Sequence, residues 1–163
     1  MRPGPLYSAC SCHVIDILMN VLPGIDCNDI NKTMVVFQLI SIYGRLIPMR
    51  DLSEFATSRP NISPEKRKLC HQTLQFLPFV MEFMDRCFAL IDNSSLEQIQ
   101  QEQSSSDAQV SDEETSIKTG IISCLHSVLH MADTKISDAI IKKLEQYLKV
   151  KRPLPNLFFL IKF

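Results

Sequence analysis

Glycine is scarce in this chain: there are four among 163 residues, Gly4, Gly24, Gly44 and Gly120, and no two are close together. A phosphate-cradling loop needs several neighbouring glycines whose backbone N–H groups converge, so nucleotide-binding loops of that kind are excluded. Tryptophan is absent, and Lys+Arg (17) nearly balances Asp+Glu (18) for a net charge of −1. That balance gives no electrostatic footprint for nucleic acid or anionic lipid. Long apolar runs are also missing. The longest late one, Leu157-Phe158-Phe159-Leu160-Ile161, falls far short of the ~18 residues that a membrane-spanning helix requires. The apolar stretch near the N-terminus is interrupted by His13, Asp16 and Asn20, which leaves no clean core for a secretory signal. The expectation is a soluble intracellular chain with no membrane contact.

Hydrophobic residues make up 45% of the chain even though one stretch of some two dozen residues is strongly polar, so the remainder is unusually apolar. The cysteines Cys10, Cys12, Cys27, Cys70, Cys87 and Cys124 are scattered through apolar segments, the pattern of buried free thiols and not of a disulfide framework.

Helical periodicity dominates. Val14, Ile17, Leu18, Val21 and Leu22 follow the i, i+3, i+4, i+7, i+8 spacing of one helix face. Pro23-Gly24 ends that helix, because proline cannot continue the ladder and glycine suits a reversed backbone. A second helix is predicted from about Asn28 to Ile47, with Asp26, Asn28 and Asp29 as acceptors for its free N–H groups. It carries two apolar stripes. One holds Ile30, Met34, Phe37, Ile40 or Ser41, and Gly44; the other holds Val35, Val36, Leu39, Ile42, Tyr43 and Leu46. A helix apolar over so much of its circumference requires neighbours on two sides.

Arg50 to Ile62 reads as a connector. Ser63-Pro64-Glu65 then supplies a cap, a first-turn proline and an early carboxylate for a long helix to about Ile91, which Pro78 should kink or split. Its inward face is Leu69, Phe76, Phe79, Val80, Phe83, Cys87, Leu90 and Ile91. From 93 to 116 the composition turns acidic and rich in Ser and Gln, too polar to offset its ordering entropy, which predicts a disordered loop. Ser95 to Gln103 could also prolong the preceding helix, and Ser111, followed by three acids, is a candidate for phosphorylation. Two further helices follow, with Ile117, Ile121, Cys124, Leu125, Val128 and Leu129 inward in one and Ile136, Ala139, Ile140, Leu144, Tyr147 and Leu148 in the other; Asp133-Thr134 separates them. The division is therefore 1–11 unmatched, 12–92 helical, 93–116 acidic loop, 117–150 a helix pair, and 151–163 an unmatched apolar tail. The fold class is all-α, built of antiparallel helix pairs.

Chemistry-bearing clusters are few. Cys10, Cys12 and His13 lie together, as do Cys124, His126 and His130, but neither group has the spacing of a zinc site. No nucleophile elbow or catalytic cysteine signature is present. Asp26 and Asp29 read as cap residues, and the basic runs Lys66-Arg67-Lys68 and Lys149 to Arg152 as solvated helix faces. No catalytic, cofactor or metal residue is assigned, and an enzyme is not expected.

Two stretches carry a resemblance. Val21-Leu22-Pro23-Gly24-Ile25-Asp26-Cys27-Asn28-Asp29 is followed by Lys32-Thr33-Met34-Val35-Val36-Phe37-Gln38-Leu39-Ile40, and further on by Phe79-Val80-Met81-Glu82-Phe83-Met84-Asp85-Arg86-Cys87-Phe88-Ala89-Leu90-Ile91. This resembles the middle region of the proteasome activator complex subunit 4 family, the very large HEAT-repeat caps of the 20S proteasome, well over Ile15 to Asn93 and more loosely beyond. The resemblance implies a HEAT/ARM-like α-solenoid. It further implies a fragment of an activator that binds the 20S α-ring, opens its gate and promotes ubiquitin- and ATP-independent degradation. Acetylated histones as substrates, roles in DNA repair and spermatogenesis, and residence in nucleus and cytoplasm are implied in the same way. The family's gate-opening tail ends hydrophobic-Tyr-x, whereas this chain ends Ile161-Lys162-Phe163, so no gate-opening residue is carried over; the acetyl-lysine-reading module lies elsewhere in the family. The alternative reading is an independent all-α HEAT-type adaptor that binds a partner helix or peptide in a groove. A small metal-binding regulator using Cys124, His126 and His130 is a weaker third.

Overall fold

Thr33, buried at the start of the second predicted helix, shows how the local sequence sets the architecture. In the computed structural model, which describes residues 13–102 and 112–150, its hydroxyl donates to the Asp26 carbonyl at 2.9 Å and accepts from the Asp26 amide at 2.9 Å. The Pro23-Gly24-Ile25-Asp26 turn is thereby folded back onto the helix it precedes. Asp29 caps that helix, its carboxylate accepting from the Lys32 amide at 2.9 Å.

The described elements are α1 (Val14–Val21), a 3-10 turn (Leu22–Gly24), α2 (Ile30–Leu46), α3 (Ser53–Ser58), α4 (Pro64–Gln72), a second 3-10 turn (Thr73–Gln75), α5 (Phe76–Glu102), α6 (Asp112–Met131) and α7 (Thr134–Val150). Among the described residues the only β pairing is an isolated parallel bridge between Met49 and Ala132.

Four helices form two stacked layers. Phe37 of α2 meets Phe83 of α5 edge-on with ring centroids 6.3 Å apart, and Tyr43 and Leu46 lie near Phe76, so α2 and α5 run antiparallel. The relation of α2 to α6 is different. Phe37 sits beside Gly120, Ser41 beside Cys124, Gly44 beside Ser127 and Met49 beside Ala132, each partner 83 positions further along. These two helices are therefore parallel and in register. The helices α5 and α7 are parallel too: Lys143 reaches Asp85 at 2.6 Å, and Tyr147 stacks on Phe88 and donates to Asp92 at 2.6 Å. The chain thus repeats one antiparallel pair, α2/α5, as a second, α6/α7. The first pair is joined through α3 and α4; the second is joined only by Ala132 and Asp133.

The turns of the two pairs are tied directly. The Met49 amide donates to the Met131 carbonyl and the Asp133 amide to the Met49 carbonyl, both at 3.0 Å. Asp133 caps α7 through the Ile136 amide (2.9 Å) and with its other oxygen accepts from the Asp51 amide (3.0 Å). The core runs through both pairs without a break: Phe37 and Ile40 of α2, Phe79, Val80, Phe83 and Cys87 of α5, Ile121, Cys124 and Val128 of α6, and Ile136 and Ile140 of α7 are all buried.

Several expectations are corrected. Gly24 does not reverse the backbone, for no described glycine has positive φ; it is small because a Cβ there would lie 2.8 Å from a Val36 methyl. The connector after Arg50 contains the short helix α3. The long third helix is split at Thr73–Gln75, upstream of Pro78. Pro78 falls third in α5, where its missing N–H would have no intrahelical acceptor. The acidic segment is helical at both ends: α5 continues through 93–102 and α6 begins at Asp112, so the predicted loop 93–116 is too wide. The polar side chains there are compatible with a helix because extension from an already packed helix avoids the cost of nucleation. Residues 103–111, Ser111 among them, lie outside the described residues, as do 1–12 and 151–163.

Candidate functional site

The structure separates the clusters that sequence proximity suggests. Cys124 is buried between α6 and α2, its thiol donating to the Phe37 carbonyl at 3.1 Å and lying 3.3 Å from the Ser41 hydroxyl. His126 and His130 are exposed, so the cysteine and the histidines do not converge. His13 is also exposed, with Nδ1 4.0 Å from Asp16; Cys10 and Cys12 lie outside the described residues. Among the described residues no group of three His, Cys, Asp or Glu side chains is placed to hold a metal ion.

Asp26 and Asp29 both serve the backbone. Asp29 is the cap of α2, and Asp26 accepts from the Asn28 amide and side chain at 3.0 and 2.9 Å. Those two hydrogen bonds hold the Asp26 carboxyl below its ordinary range. Asp51 is lowered chiefly by the Ser53 hydroxyl and amide, with Lys135 adding charge. Burial raises the Cys87 thiol well above its usual value and pushes Cys124 up to about 11. Tyr147 is also raised, by burial first and then by its bond to Asp92. None of these groups is an activated nucleophile or a base poised near neutrality.

What remains are surfaces. Lys66, Arg67 and Lys68 are exposed on α4, which Ser63 caps through the Lys66 amide. On α2 the first apolar stripe is turned inward as expected, but the second is only partly covered. Val36 is buried, whereas Val35, Ile42 and Leu46 are 62%, 58% and 64% exposed. Next to that ridge an apolar groove of about 500 Å³ opens between α1, the end of α2 and α4, lined by Val14, Ile17, Tyr43, Leu46, Leu69 and Phe76. Gln72 also lines it, with a buried Oε1 that has no hydrogen-bond partner among the described residues. Sequence periodicity marked the ridge as apolar; the groove depends on how three separate elements meet and left no signal in the chain.

Antiparallel helix pairs repeated in parallel register over one continuous core define a segment of a HEAT-type α-solenoid, a scaffold that presents surfaces. Residues 3–152 match the family profile described as proteasome activator complex subunit 4, mid HEAT repeats region, and the chain belongs to that family. It is 36% identical over 131 residues to proteasome activator complex subunit 4 of Xenopus laevis and 34% identical over 131 residues to that of Homo sapiens, each covering 80% of this chain. With subunit 4B of Danio rerio it shares 34% identity over 140 residues, 86% of this chain. The chain spans 7–8% of the length of these relatives. The matched stretch starts inside residues 1–11 and closes at the beginning of the apolar tail.

Proposed function

We propose that this chain is a scaffold segment of a proteasome activator: it has no catalysis of its own and contributes a piece of solenoid wall to an assembly that docks on the α-ring of the 20S core particle. The observation that carries this reading is the family match over residues 3–152, supported by the in-register stacking of α2 on α6 and α5 on α7 that a solenoid wall requires. In such an assembly the activity is promotion of ubiquitin- and ATP-independent degradation of peptides and proteins, with acetylated histones among its substrates. DNA repair and spermatogenesis are its biological settings, and nucleus and cytoplasm its locations. No direct contact with nucleic acid or membrane belongs to this reading.

The test is capture of purified 20S particle by the tagged chain, with fluorogenic-peptide hydrolysis followed in the same tube. Capture without faster hydrolysis is the expected result for a segment that docks on the particle without itself opening the gate. A well-folded chain that does not capture the particle would contradict the docking role.

A further inference from the structure

The two helix pairs differ most in how they are closed. Ala132 and Asp133 suffice to join α6 to α7, whereas the first pair carries α3 and α4 between α2 and α5. Those extra elements add little to the core: α3 buries only Ala56, and no residue of α4 is buried. What they hold instead is a surface. Phe55 of α3 is 45% exposed, and Leu52, three residues before it, is 42% exposed. The Arg59 guanidinium lies over the Phe55 ring, 4.7 Å from its centroid. Arg67 of α4 reaches back across the connection, its Nη2 donating to the Pro60 carbonyl at 3.4 Å. Pro60 follows Arg59, so two guanidinium groups attend one short stretch of chain beside an exposed aromatic ring. The Leu52 amide donates to the Thr73 hydroxyl at 2.8 Å and fastens the base of the insertion.

We propose that this insertion is a docking surface for an acidic peptide segment of a protein partner, which sets an apolar side chain against Phe55 and Leu52 and carboxylates on Arg59 and Arg67. Charge decides the occupant. From 50 to 75 the chain holds five Lys and Arg against three Asp and Glu, although the whole chain stands at −1. Asp51, moreover, is already engaged by Lys135 at 3.1 Å. Among the described residues none of Arg59, Lys66, Arg67 and Lys68 makes an ion pair. A guanidinium presents a planar fork of donors that matches a carboxylate, and both arginines are exposed. A nucleic acid fits less well. Bases need a bare aromatic face to stack on; Arg59 covers one face of Phe55, and Leu52 offers none. Leu52, Phe55, Arg59 and Arg67 lie outside the core. The proposal therefore goes beyond the scaffold role and holds whether or not the chain captures the core particle.

The probe is a random dodecapeptide library displayed on phage and panned on the immobilised full chain, with recovered peptides measured by fluorescence anisotropy. Peptides that combine Asp or Glu with Leu, Phe or another large apolar residue are the expected result. Replacing both arginines, Arg59→Gln with Arg67→Gln, should weaken such peptides by about tenfold or more. Phe55→Ala should weaken them by about fivefold or more, and added salt should weaken them further. Lys149→Gln removes an exposed cation on α7 and should leave the affinity unchanged. All of these side chains are exposed, so the variants leave the core intact, and circular dichroism checks this. No enrichment on a folded chain, recovery of peptides without acids, or equal weakening by Lys149→Gln would overturn the proposal. Tighter binding of oligo(dT) than of any recovered peptide would give the surface to nucleic acid instead. Light scattering that shows a dimer lost in the double variant would give it to a second copy, and either outcome contradicts the proposal.

Discussion

Gly120 of α6 lies directly against the ring of Phe37 in α2: a Cβ on Gly120 would sit 2.5 Å from Cδ2 of that ring. Phe37 is itself 2% exposed and packed on Phe83, so it has nowhere to retreat. At an ordinary helical site Gly→Ala stabilises by about 1 kcal/mol. Here Gly120→Ala should instead destabilise by about 1–3 kcal/mol through overpacking. Urea unfolding checks the sign, and a stabilised variant would mean that α2 and α6 are not in this close contact.

The clasp between α5 and α7 should be visible at high pH. Tyr147 stacks on Phe88 with centroids 4.0 Å apart and donates to Asp92 at 2.6 Å, and its pKa is raised above the ordinary 10.0. A group with a raised folded-state pKa contributes stability that is complete below its unfolded value and lost as pH climbs through the folded one. Stability should therefore fall above pH 10, and Tyr147→Phe should lose about 1–2 kcal/mol at neutral pH together with that alkaline component. Thermal unfolding of both proteins from pH 8 to 11 gives the comparison.

Acid should act at the turn that ties the two pairs. The Asp51 carboxyl is held below its ordinary 3.8, so its contribution is present above that value and lost as pH falls through the lower folded-state one. Asp51→Asn should flatten the decline in melting temperature between pH 4 and 2. An unchanged acid limb would show that the Ser53 and Lys135 contacts do not survive in solution.

Thiol reactivity should divide the described cysteines. Cys27 and Cys70 are half-buried, whereas Cys87 and Cys124 are buried with raised pKa values, Cys124 at about 11. At pH 8 the latter two should resist alkylation in the folded chain and react on unfolding. Mass mapping of labelled peptides reads this directly. Rapid native labelling of Cys124 would mean that the α2–α6 contact opens.

The helices were legible in the chain because their inward residues recur at helical spacing: every position from Phe76 to Ile91 assigned inward is buried. The short helix α3 was not, since six residues, Ser53–Ser58, bury only Ala56 and show no period. The stacking register was hidden for a different reason. Helices that pack side by side must be complementary and not alike, so Phe37 answers to Gly120 and Gly44 to Ser127, and no sequence repeat results. The extra elements α3 and α4 shift the spacing further, from 83 positions between α2 and α6 to 58 between Asp85 and Lys143. The open ridge on α2 was half legible. Two apolar stripes called for two neighbours, but only the fold shows which stripe lacks one.

Two helix pairs stacked in parallel register make up the fold, and one substitution tests that arrangement. The Ser41 hydroxyl lies 3.3 Å from the Cys124 sulfur, although the two are 83 residues apart. In Ser41→Cys, mild oxidation should join positions 41 and 124 within one chain, giving a faster band on a non-reducing gel and a single linked peptide by mass spectrometry. A folded variant that forms no such link, or that links position 41 to Cys27 or Cys70 instead, would contradict the stacked arrangement.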